Sequence, residues 1–209
     1  MQAWAGFAGV GAVVWVALRS RDVFDTWLQQ KQTERRLDVA EKLLFLVYKA
    51  EDVFNSIRSP ASFGSEVERV HETINRSFPQ GVPESRRQNL EIGQTILIRI
   101  QDHGDFWAEY LALRPQVRAY FGQAYADKYG NIWTARAKII AAAGSYGRID
   151  PTFEERDPER AQERRDHWEA VFWDGWAEAI DSPDEIRDLL AEVKIKTEEV
   201  VQPLLATKS

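Results

Sequence analysis

Three histidines and no cysteine bound the side-chain chemistry open to this 209-residue chain. Without thiols there is no disulfide framework, thiolate metal site or cysteine nucleophile. Glu68-Arg69-Val70-His71 has the Glu-x-x-His spacing, which sets a carboxylate and an imidazole on one helical face. A di-iron bundle needs that motif twice, plus a glutamate from each of two further helices. The other histidines do not repeat it, because Ile100 stands three residues before His103 and Arg164 three before His167. Glu68 and His71 are therefore the metal candidates the sequence offers, and an exposed helix surface is their expected setting. No cofactor is expected.

Asp102, His103 and Asp105 are acid–base groups close in sequence. Neighbours on a helix point in different directions, so His103 is expected to line a packed face with Trp107. Ser145-Tyr146-Gly147-Arg148 lacks the Gly-Lys-Ser/Thr ending of a phosphate loop and reads as a linker. His167 precedes Trp168, with Trp173 and Trp176 following. Large aromatics at helical spacing are core residues, but Trp173 lies off the main stripe and is the expected interaction surface. No complete catalytic constellation is present, and no catalytic residue is assigned.

The elements that carry these residues read as helices. Leu43, Val47, Ala50, Phe54 and Ile57 step by three and four residues, which puts them on one helical face. Leu44, Leu46 and Val53 widen that stripe and predict neighbours on more than one side. Pro60 and Gly64 break the chain, and Ser65 with Glu68 has capping-box spacing for a helix to about Phe78. A second long helix is expected from Glu84 to Leu113, with Pro115 kinking or restarting it. Asn131 is a candidate cap for a helix through Ala143, followed by a loop over 144–157. Asp157-Pro158 is a cap with proline at the first helical position. Ser182-Pro183-Asp184-Glu185 has the same signature, ahead of a stripe from Ile186 to Leu204. No strand alternation or internal repeat occurs. The expected fold is all-α, with an N-terminal single transmembrane helix followed by a bundle of about four main helices.

Met1 to Leu18 contains no charge. As a helix it spans roughly 27 Å, close to the roughly 30 Å of a hydrocarbon core. Trp4 and Trp15 lie near its ends, and Arg19 and Arg21 follow at once. That order predicts an uncleaved anchor over 1–21, holding residues 22–209 as a cytoplasmic helical domain. A secretory leader would need a basic region ahead of the apolar run, where only Met1 and Gln2 stand. A short core helix is the competing reading, supported by Gly6, Gly9 and Gly11. The polar stretch 29–38 reads as a connection between membrane and bundle. Between Arg19 and Arg36 five basic and three acidic residues leave a weak pull towards anionic headgroups.

The short N-terminal span, the run Phe54-Asn55-Ser56-Ile57-Arg58-Ser59-Pro60 and the start Asp181-Ser182-Pro183-Asp184-Glu185 resemble small, uncharacterised, membrane-anchored helical proteins of bacteria. The resemblance implies a single-pass helical protein and brings no catalytic residue with it. The implied address is the bacterial inner membrane. The net charge of −6 opposes nucleic-acid binding, so none is expected. Membrane lipid around the N-terminal helix, and a protein partner or a second copy of the chain, are the expected contacts. Two rival readings remain open: an enzyme or metal-binding bundle whose residues meet only in the fold, and a subunit of an oligomeric membrane assembly.

Overall fold

In the computed structural model the residues described are 3–62, 64–149, 156–174 and 183–206, with side chains described from Phe24 onward except Asp25 and Ser85. They form eight helices and no strand. These are α1 (Ala3–Arg58), α2 (Gly64–Ser77), α3 (Glu84–Asp102), α4 (Gly104–Phe121), α5 (Gln123–Tyr129), α6 (Asn131–Tyr146), α7 (Pro158–Phe172) and α8 (Glu185–Ala206). The all-α class is as the periodicity implies.

α1 is one helix of 56 residues, about 84 Å long at 1.5 Å per residue. It passes residue 21 and the polar stretch 29–38 without a break. Residues 26–36 are exposed, and burial begins at Val39. From there Ala40, Leu43, Val47, Ala50, Phe54 and Ile57 are almost wholly enclosed. Leu46 and Val53 are buried as well, because α1 packs against α8 on one side and α3 and α4 on others. α3 lies on α6, α6 also meets α7 and α8, and α2 covers the outer side of α3. Among the described residues, no helix is long and apolar enough to cross a membrane. Trp4, Trp15, Arg19 and Arg21 lie outside the residues whose side chains are described.

Several boundaries differ from the sequence reading, each for a physical reason. The helix expected over 84–113 is two helices that part at His103. There the buried indole of Trp107 donates Nε1–H to the carbonyl of Ile100 at 2.9 Å, satisfying an acceptor that the end of α3 leaves free. Pro115 does not end α4. It lies on the exposed side, where water can take the carbonyl it leaves unpaired. The break falls at Gly122 instead, whose φ of 83° is open to glycine. α2 starts one residue before Ser65. Asn131 is the first residue of α6 rather than its cap, and its amide reaches across to Glu192 at 2.9 Å. Asp157 caps α7 through the amide of Arg160, with Pro158 first in the helix, as its sequence signature implies. The last helix is capped two residues later than expected: Oδ1 of Asp184 accepts from the amides of Ile186 and Arg187.

At the centre, Tyr110 stacks on Tyr129 with ring centroids 4.6 Å apart and lies parallel to Trp133 at 6.1 Å. The Tyr110 hydroxyl donates to the Tyr129 carbonyl. The guanidinium of Arg136 lies 4.5 Å from the Trp133 ring and 5.1 Å from the Trp107 ring, a cation–π arrangement between two indoles. α3 and α6 cross where Gly93 faces the Ala143 carbonyl so closely that an added Cβ would stand 2.5 Å from its oxygen.

Candidate functional site

The most site-like feature is a cleft of about 470 Å³ between the turn after α1, the helices α2 and α3, and the ends of α6 and α7. That volume falls within the range of ligand pockets. Val67 and Val70 of α2 and Ile92 of α3 supply apolar wall. His71 faces Glu91 across the α2–α3 interface, with Nε2 3.1 Å from Oε1. Opposite, the Tyr146 hydroxyl donates to Oε1 of Glu169 at 2.6 Å. Trp173 closes one side, its ring edge-on to Phe172 at 5.2 Å.

Helix ends set this arrangement. Tyr146 is the last residue of α6, and Trp173 follows the last residue of α7 with an extended backbone. Each therefore leaves its helix where the chain turns. Close approach of α3 to α6, which Gly93 permits, brings Glu91 near Tyr146.

Two buried arginines hold the walls. Arg58, 3% exposed, donates Nε to the Val171 carbonyl and Nη2 to the carbonyls of Ala170 and Trp173. Its Nη1 binds Oδ2 of Asp184 at 2.9 Å, and its own carbonyl accepts from the Asp174 amide. The α7 end of the cleft, including Trp173, is thereby fixed to the end of α1 and the start of α8. Arg99 pairs with both carboxylate oxygens of Glu66, at 2.7 and 2.8 Å. It also donates to the carbonyls of Ile57, Ser59 and Ala61, tying down the turn that leads into α2. Charged groups this deeply buried need such saturation, since an unpaired one costs several kcal/mol.

The residues singled out by sequence fall as follows. His71 and Trp173 line the same cleft, although one lies on α2 and the other just past the end of α7. Glu68 is on the exposed side of α2 and is not part of the lining. Among the described residues no group of three or more His, Asp and Glu converges as a metal ion would need. Asp102 and His103 diverge: Asp102 takes both ends of the Arg69 guanidinium at 2.8 Å, which holds its carboxyl below the usual range. His103 instead contacts the Ser56 hydroxyl at 3.3 Å, and its partial burial lowers its pKa. Sequence reasoning missed Glu91, Glu169 and Arg99. Of these only Arg99, a lone charge between Ile98 and Ile100, gave a local signal.

No protein-family model, curated protein or solved structure matches the chain.

Proposed function

We propose that this protein is a single-pass tether of the bacterial inner membrane that holds a helical interaction module on the cytoplasmic side. The observation that carries the reading is the continuity of α1. One helix runs from Ala3, through the uncharged residues up to Leu18, to the centre of the bundle. From Asp22 to Asp38 it would act as a stalk of roughly 25 Å. Phe24, Trp27 and Leu28 on that stalk are exposed, and the first two rings stack at 5.9 Å. Exposed aromatics beside Arg19 and Arg21 suit the headgroup region of a bilayer. The bundle then meets its partner, another protein or a second copy, away from the membrane surface.

Alkaline-carbonate extraction tests the tether. Full-length protein is expected in the membrane pellet and residues 22–209 in the supernatant. Release of the full-length protein refutes insertion. Crosslinking the two forms separates self-association through the N-terminal helix, where Ala5 and Gly9 have close-packing spacing, from association through the bundle.

A further inference from the structure

We propose that the cleft between α2, α3, α6 and α7 binds a small organic cation, a primary amine carried on an apolar or aromatic body. Among the described residues, the cleft lining contains two carboxylates, Glu91 and Glu169, and neither lysine nor arginine. Their partners in the lining are a phenol and an imidazole. Glu169 accepts from the phenol of Tyr146. Glu91 is held by the imidazole of His71. Both carboxylates are partly shielded from water, where a cation gains more from them than on an open surface.

The rest of the wall selects the body of the ligand. Val67, Val70 and Ile92 offer apolar surface, and the half-buried indole of Trp173 offers a ring face. An ammonium group gains from an indole face as well as from carboxylates. An anion would meet two carboxylates and, among the described lining residues, no lysine or arginine, which disfavours acids and phosphates as ligands. The rigid anchoring of both walls by Arg58 and Arg99 means the site is preformed, so little ordering opposes binding. This inference concerns the bundle alone and does not depend on the membrane tether.

Titration calorimetry of the full chain with phenethylammonium chloride tests it, with 2-phenylethanol and 3-phenylpropanoate as the neutral and anionic counterparts. The expected result is saturable binding of one amine per chain, at least about tenfold tighter than the alcohol, with no binding of the acid. Glu169→Gln, which keeps an acceptor for Tyr146, is expected to weaken amine binding about tenfold, and Glu91→Gln to do the same independently. Glu199→Gln, on the exposed face of α8, should leave it unchanged. Equal affinity for amine and alcohol overturns the proposal. So does an amine affinity that neither cleft variant alters, or no binding of the amine at all. Should Glu169→Gln fail to fold, Glu91→Gln and the three-ligand comparison decide.

Discussion

Arg58 and Asp184, 126 residues apart in sequence, meet with Nη1 2.9 Å from Oδ2. The end of α1 and the start of α8 meet in one contact. Asp184 uses its other oxygen to cap α8. One carboxylate thus starts a helix and neutralises a buried guanidinium.

Removing that carboxylate should cost more than removing a cap. Asp184→Ala is expected to destabilise the fold by about 3–5 kcal/mol, since Arg58 would be left buried with Asp174 at 3.9 Å as its nearest acid. Asp157→Ala, which removes only the cap of α7, should cost about 1 kcal/mol. Asp184→Asn keeps the cap and loses the charge, and should fall between them. Urea midpoints of the three variants check the order; equal losses for Asp184→Ala and Asp157→Ala would contradict the double role.

Arg99→Lys tests whether charge or shape matters at the second anchor. A lysine has no planar fork, so it cannot hold Glu66 at both oxygens and the carbonyls of Ser59 and Ala61 together. The expected loss is about 2 kcal/mol, with faster proteolysis within residues 59–62. Unchanged cleavage would show that the turn stands without the guanidinium.

Gly93→Ala addresses the crossing of α3 and α6. The new methyl would stand 2.5 Å from a backbone oxygen, which cannot yield as a flexible side chain can. A loss of about 1–3 kcal/mol is expected, together with weaker ligand binding in the cleft the two helices shape. Gly64→Ala, with open space around it, should be neutral or slightly stabilising. Thermal unfolding of the pair distinguishes crowding from a general effect of alanine.

Alkaline titration should couple the buried phenols to unfolding. Burial raises the phenols of Tyr110 and Tyr125 from 10.0 to about 12, and pushes Tyr129 up as well. The unfolded chain loses these protons first. Their stabilising contribution is therefore complete below pH 10 and lost as pH rises through about 12. Phenolate absorbance of the buried tyrosines is expected to rise above pH 10, cooperatively with unfolding. A single transition near pH 10 for all six tyrosines would contradict the packing.

What could be read from sequence was what is local. The stripe Leu43–Val47–Ala50–Phe54–Ile57 announces a core helix because spacing alone fixes its face. Asp157-Pro158 announces a helix start because a cap acts within three residues. The parting of α3 and α4 at His103 was hidden, since the indole that stabilises it acts through the fold. Arg99 was visible only as a charge in an isoleucine-rich run, because the carbonyls it satisfies lie 38 to 42 residues away. The cleft was least legible of all: His71, Glu91, Tyr146 and Glu169 come from four helices, Trp173 from the segment after the last of them, and they share no spacing.

Since α1 runs unbroken from Ala3 to Arg58, residue count sets the compass heading of the bundle as well as its height. Each residue turns a helix by about 100°. Two residues added within 29–36 would swing the amine-sized opening roughly 200° around the shaft. Four would raise it by about 6 Å and return it to within roughly 40° of its first bearing. A shaft of this kind behaves as a keyed spindle, and whatever grips its far end dictates which way the bundle looks.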